Sequence, residues 1–219
     1  MEPKLKTPIG IFGGTFDPIH YGHLSPCLEV CESLKLAQIR FVPSYIPPHR
    51  ESPISSVAMR VAMVKAAISS EPRFVLDERE ILRQGSSYMI DTLKSLSQDF
   101  PQQPLCLILG MDAFLKIHYW YHWQELLDVA HFIITKRPET AFDQQEKWPL
   151  EVQQLYNQHK ADEIFDLQRY LYGKIVFQSV TQLAISSSEI RAKLKQQNSV
   201  RYLLPDAVLD LISHHHLYL

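Results

Sequence analysis

The apolar run Ile9-Gly10-Ile11-Phe12 breaks at a glycine pair, and a helical periodicity (Leu24, Cys27, Leu28, Cys31, Leu34) begins a few residues later. The order is strand, glycine turn, loop, helix. The join between strand and helix reads Gly13-Gly14-Thr15-Phe16-Asp17-Pro18-Ile19-His20-Tyr21-Gly22-His23. Gly13 and Gly14 can take positive φ angles and bring bare backbone N–H groups close to a ligand. A helix starting near His20 turns its unpaired N–H groups and the positive end of its dipole toward the same place. His20 and His23 are three apart and share a helix face, with Gly22 leaving room for close approach between them. Their imidazoles donate hydrogen bonds and carry partial positive charge near neutral pH. The stretch predicts a site for an anion, and a nucleotide phosphate suits it best. A plain turn with two surface histidines is the ordinary alternative. A His-x-x-His zinc pair is another, but no third ligand is near in the sequence.

Further along, short apolar runs alternate with helical periodicities. Ile39 to Pro43 predicts a second strand, and Val57, Val61, Val64 and Ile68 a helix capped by Ser55 or Ser56. Phe74-Val75-Leu76 is strand-like; Ser86 or Ser87 caps a helix through Ile90, Leu93 and Leu96. Leu105 to Leu109 is the clearest buried strand, followed by a helix through Leu126, Leu127 and Val129 and a strand at Phe132 to Thr135. Residues 136–173 are polar, with a helix around 151–160; Lys174 to Phe177 is the last strand. Ser186-x-x-Glu189 opens a helix through Leu194, and Pro205 precedes a final amphipathic helix. This alternation predicts an α/β fold, a Rossmann-like doubly wound and mostly parallel sheet with helices on both faces and a small C-terminal helical part. With no internal repeat or linker, residues 1–219 read as a single domain. Ligands in such folds bind beyond the carboxyl ends of the strands.

Net charge is −2, so no basic field predicts nucleic-acid binding. Three cysteines give no disulfide framework and read as buried thiols in a reducing cytosol. No apolar run approaches the ~20 residues of a membrane span, and the N-terminus lacks a signal-peptide core. A cytoplasmic protein is expected, and a homo-oligomer is compatible with the sequence.

Four more segments carry chemistry. In Ile185-Ser186-Ser187-Ser188-Glu189-Ile190-Arg191, hydroxyls and free N–H groups at a helix N-terminus suit phosphate, and an arginine one turn in adds a charged fork. An ordinary N-cap with a solvated arginine is the other reading. Pro47-Pro48-His49-Arg50 is a stiff loop aiming a cationic pair, or simply a solvated loop. Asp112, in Gly110-Met111-Asp112, either accepts hydrogen bonds from ribose hydroxyls or caps the next helix. Trp120 and Tyr121, within the aromatic stretch 118–123, offer a flat surface for a pyridine or purine ring, or else pack in the core.

The stretch 13–23 resembles the extended His-x-Gly-His signature of the nucleotidylyltransferase superfamily, in the form carried by bacterial nicotinate-nucleotide adenylyltransferases. The Ile185–Arg191, Pro47–Arg50, Gly110–Asp112 and Trp120–Tyr121 segments resemble further elements of that family, in order, from about Ile9 to the end. The resemblance implies adenylyl transfer from ATP to nicotinate mononucleotide, giving deamido-NAD and pyrophosphate in NAD biosynthesis. It implies catalytic His20, His23 and Arg191. ATP would meet Gly13, Gly14, Thr15, Phe16, His49, Arg50, Gly110, Asp112, Ile185, Ser186, Ser187 and Ser188. The mononucleotide would meet Ser44, Tyr88, Trp120, Tyr121 and Arg137. Mg²⁺ would arrive with ATP, since the sequence offers no acidic metal cage. Two positions depart from the family pattern: Ser44 stands where family members commonly have Asn, and Met89 where they usually have the Thr that helps hold the nicotinate. Rival readings are an adenylyltransferase for nicotinamide mononucleotide or phosphopantetheine, a cytidylyltransferase, and a nucleotide-binding regulator without turnover.

Overall fold

The computed structural model describes residues 5–47, 52–136 and 142–219. Six parallel strands form one sheet: β1 (Ile9–Gly14), β2 (Gln38–Pro43), β3 (Phe74–Leu76), β4 (Leu105–Gly110), β5 (His131–Lys136) and β6 (Ile175–Ser179). Their spatial order is β3-β2-β1-β4-β5-β6, so the chain reverses its direction of winding between β1 and β4. The helices are α1 (Tyr21–Ser33), α2 (Val57–Ile68), α3 (Arg79–Arg83), α4 (Met89–Asp99), α5 (Met111–Phe114), α6 (Leu150–His159), α7 (Asp166–Arg169), α8 (Ser187–Lys195) and α9 (Asp206–His214).

The strands are apolar on both faces, as a sheet covered on both sides requires. Side-chain alternation sorts them cleanly. Leu105, Leu107 and Leu109 of β4 join Ile9 and Ile11 of β1 and Phe132 and Ile134 of β5 in one core, under α4, α5 and α6. Cys106, Ile108 and Ile133 face the other core with Ile39 and Phe41, under α1, α2, α8 and α9. Gly10 is required between the layers, because a Cβ there would come within 2.9 Å of both Ile108 Cδ1 and Ile39 Cγ1. The three cysteines are free and buried, and burial pushes the thiols of Cys27 and Cys106 up, away from reactivity.

Several local expectations change. Ser87 does not cap α4, whose N-cap is Tyr88; its hydroxyl instead accepts the Tyr45 N–H at 2.8 Å. The segment around Leu126 is a 3₁₀ helix, Trp123–Asp128. In α2 the buried stripe runs through Arg60, Met63, Val64 and Ile68, with Val57 and Val61 only half-buried. The charged run at 77–80 becomes a junction: Asp77 accepts from Arg40 at 2.7 Å and from Arg79 at 2.9 Å. No helix among the described residues is long and apolar enough to cross a membrane.

Candidate active site

The sheet's winding reverses between β1 and β4, and beyond the carboxyl ends of those strands a crevice opens, where open α/β sheets hold ligands. A cavity of about 540 Å³ lies there, walled by Gly13, Gly14 and Thr15 from β1, Ser44 and Pro47 after β2, Tyr88 and Met89 at the start of α4, Gly110 and Asp112 after β4, and Tyr119 to Tyr121. That volume suits a small organic ligand. Nine of the expected site residues thus share one cavity: Gly13, Gly14, Thr15, Ser44, Tyr88, Gly110, Asp112, Trp120 and Tyr121.

The glycine pair works differently from expectation. Gly13 and Gly14 end strand β1, and the glycines with positive φ are Gly85 and Gly173. What Gly13 and Gly14 supply is space: a Cβ on Gly13 would sit 2.5 Å from the Met89 methyl, and one on Gly14 2.8 Å from the Phe16 ring. The positive φ falls on Phe16, at 52°, whose ring is buried in the core. Any contact Phe16 makes with a ligand is therefore through its backbone.

Asp112 is not the cap of α5; Gly110 is, and Asp112 lies exposed in the cavity wall. Tyr119 to Tyr121 of the aromatic stretch face the cavity while Trp120 and Trp123 also pack against the core: Trp120 is half-buried, Tyr121 is exposed, and the Tyr121 ring lies 4.3 Å from that of Tyr88. Ser44 is buried, and its hydroxyl finds no partner among the described residues.

The second half of the site lies where α1 and α8 begin. His20 is the N-cap of α1, and its backbone N–H donates to Nδ1 of His23 at 3.3 Å. The two rings stack, with centroids 3.7 Å apart. An Nδ1 that accepts a hydrogen bond leaves the ring proton of neutral His23 on Nε2. The partial positive charge expected on His20 is not there: burial lowers its pKa to about 4, so the ring is neutral at pH 7 and can act only as a hydrogen-bonding group. Gly22 is the contact point between the two helix starts, since a Cβ would sit 3.0 Å from the Ile185 carbonyl and 2.9 Å from Nδ1 of His20.

The fold thus brings the motif near residue 20 to the motif near residue 186. Ser187 Oγ donates to the Pro18 carbonyl at 2.9 Å, and Nη1 of Arg191 donates to the Asp17 carbonyl at 2.6 Å. Ser186 caps α8 by accepting the Glu189 N–H, and Ser188 accepts from Nη2 of Arg191 at 3.4 Å. Ser187 thus spends its proton within the protein, whereas Ser186 and Ser188 act in these bonds as acceptors and their O–H groups can still donate to a phosphate. The helix start also offers an anion its first-turn backbone N–H groups. His49, Arg50 and Arg137 lie outside the described residues.

Three residues escaped the sequence reading. Arg60 is 1% exposed and joins two loops of the site, donating to the Thr15 carbonyl at 2.8 Å and to that of Tyr45 at 3.3 Å. Its place three and four residues before Met63 and Val64 was the available signal. Glu80 is buried in the cavity wall, where burial raises its pKa and the Thr92 hydroxyl donates to it at 2.6 Å. Tyr218 donates to Oδ1 of Asp17 at 2.6 Å, across 201 positions of sequence, and nothing local announces it.

Comparison with known proteins identifies the family and agrees with the fold. The family model described as cytidylyltransferase-like matches residues 11–193. A protein of Aeromonas hydrophila named "Probable nicotinate-nucleotide adenylyltransferase" is 44% identical over 214 residues, 98% of each chain. A protein of the same name from Methylococcus capsulatus is 43% identical over 211 residues, 96% of this chain and 99% of that one. Among solved structures, the fold is similar to that of Plasmodium falciparum nicotinic acid mononucleotide adenylyltransferase complexed with NaAD. The TM-score is 0.71 at 21% identity, over 97% of this chain and 98% of that one.

Proposed function

Because this chain belongs to the nicotinate-nucleotide adenylyltransferases of the cytidylyltransferase-like family, we propose that the crevice just described is where it carries out their reaction. The enzyme transfers the adenylyl group of ATP to nicotinate mononucleotide, giving deamido-NAD and pyrophosphate in NAD biosynthesis. The observation that carries the assignment of the site is the joining of two parts: an aromatic-walled cavity at the switch point, and a paired histidine helix start beside it.

A phosphate oxygen of the mononucleotide attacks the α-phosphorus of ATP in line. The bond from that phosphorus to the bridging oxygen breaks, and pyrophosphate leaves with the electron pair. The attacking phosphate is already an anion, so the step needs neither a general base nor an enzyme nucleophile. Catalysis then rests on positioning and on hydrogen bonds that strengthen as charge grows on the leaving oxygens. His20 and His23 donate to the triphosphate, with His23 presenting its Nε2 proton. First-turn N–H groups of α8 and the guanidinium of Arg191 take the β- and γ-phosphates. Gly13 to Phe16 offer backbone to the nucleotide, and Gly110 and Asp112 meet the ribose. Ser44, Tyr88, Trp120 and Tyr121 hold the mononucleotide, with the pyridinium ring against Trp120. Mg²⁺ enters as part of the MgATP substrate. Cytoplasmic location and a homo-oligomer complete the reading, to be tested by fractionation and light scattering.

The amide mononucleotide is the second reading, and Met89 favours it: a thioether beside Gly13 supplies no hydroxyl to a nicotinate carboxylate. Pyrophosphate release with MgATP, measured side by side with the acid and amide mononucleotides, tests both. Preference for the acid supports the assignment, equal rates show dual specificity, and no turnover of either overturns it.

A further inference from the structure

We propose that Tyr218 is a positioning residue for the phosphate-handling half of the site, acting through Asp17. After α9 ends at His214 the chain takes left-handed conformations at His216 (φ 49°) and again at Tyr218 (φ 67°). Two such residues in three are unfavourable for side chains with a Cβ, and they persist only where surrounding contacts fix them. Here the fixing contacts are polar. Tyr218, 9% exposed, donates its hydroxyl proton to Oδ1 of Asp17 at 2.6 Å and accepts from Ser55 Oγ at 2.7 Å. Burial beside the Asp17 carboxylate pushes the phenol far above its ordinary range, so it remains a donor.

Asp17 is a junction of four segments. Oδ2 accepts the Ile54 N–H at 2.8 Å and Oδ1 the Ser55 N–H at 3.3 Å, tying down the segment before α2. The Asp17 backbone carbonyl accepts Nη1 of Arg191 at 2.6 Å, and Pro18, the next residue, accepts from Ser187. The side chain of Asp17 is thus fixed by the tail, and its main chain fixes Arg191 three residues before His20. A buried carboxylate that loses one of its donors shifts toward the remaining ones, carrying its own carbonyl with it. Tyr218 therefore sets where Arg191 sits and where the His20 cap begins, without touching substrate.

The inference rests on the reading that Arg191 and the histidines face ATP phosphates. The test compares wild type, Y218F, R191K, the double variant and S55A. It measures kcat and KM with MgATP and nicotinate mononucleotide, melting temperature, and calorimetric affinity for a non-hydrolysable ATP analogue. The Phe ring keeps the packing and removes only the donor, so kcat and analogue affinity fall about tenfold, the scale of one hydrogen bond to a charged group. KM for the mononucleotide moves less than about twofold, because its cavity is built from other segments. Losses in the double variant overlap instead of multiplying. S55A, which keeps the Tyr218–Asp17 bond, retains most turnover. Should Y218F fail to fold, D17N weakens the same bond from the acceptor side and is expected to show the same overlap with R191K. Unchanged kcat and affinity in Y218F, multiplicative losses with R191K, or equal losses in S55A would each overturn the proposal. A wild type that binds the analogue but makes no dinucleotide would count against the functional reading alone, and the affinity comparison would still test Tyr218.

Discussion

The imidazole of His20 stacks on that of His23 at 3.7 Å between centroids while its backbone N–H donates to Nδ1 of the same partner. One residue therefore sets both the plane and the tautomer of the other. A neutral, buried histidine serves here as the support for a half-buried one.

If His23 donates from Nε2 to charge that develops in the transition state, His23→Ala lowers kcat by ~10²–10³ and leaves affinity for an ATP analogue within about threefold. Steady-state kinetics paired with calorimetry reads both. A variant within about threefold of wild-type kcat would remove His23 from the mechanism.

His20 and His131 make the fold acid-sensitive. Burial lowers each to about 4, and Nδ1 of His131 must stay unprotonated to accept the Lys174 N–H. In the unfolded chain both titrate near the ordinary 6.5, so between pH 6.5 and 4 the unfolded state binds more protons. Their contribution is complete above pH 6.5 and is lost as the pH falls to 4, roughly 3 kcal/mol for each. Glu80, with a raised pKa, has the opposite sign and loses its contribution as the pH rises past 4.5. Urea unfolding at pH 7, 5.5 and 4.5 checks the net slope; a flat profile would contradict it.

Arg60→Met leaves the Thr15 and Tyr45 carbonyls without their donor. Each unsatisfied carbonyl costs ~1–3 kcal/mol, partly offset by removal of a desolvated charge. The expected outcome is a loss of about 2–4 kcal/mol in chemical denaturation and a raised KM for both substrates, because both loops border the cavity. Wild-type stability in Arg60→Met would show that the guanidinium holds neither loop.

Met89→Thr frees the space beside Gly13 and restores a hydroxyl at the start of α4. The kcat/KM ratio of acid over amide mononucleotide should rise about tenfold or more, the value of one hydrogen bond to a carboxylate. An unchanged ratio would place carboxylate recognition elsewhere.

The sheet was legible because its signals are local. Leu105 to Leu109 and Phe132 to Thr135 are short apolar runs between turn residues, and the strands found there match. The cavity wall was legible because Gly13 and Gly14 end β1 and Asp112 follows the end of β4 by two residues, where the fold puts ligands. Charge and conformation were not legible, since both depend on neighbours distant in sequence. Nothing near His20 announces that it is buried, and a glycine pair looks the same whether it needs left-handed φ or merely room. Arg60 and Glu80 were missed because charged residues are ordinarily solvated, and only tertiary contacts decide otherwise.

Ser187 reaches Pro18 across 169 positions and Arg191 reaches Asp17 across 174. A ribosome makes the histidine loop early and its clamps late, and contacts of such separation form slowly. The emerging chain therefore holds the histidines long before it can fasten the loop that carries them. If Arg191 and the histidines act together on ATP, nucleotide turnover becomes a report that the segments around residues 17 and 190 have met, and loosening the start of α8 would silence the enzyme with every histidine intact.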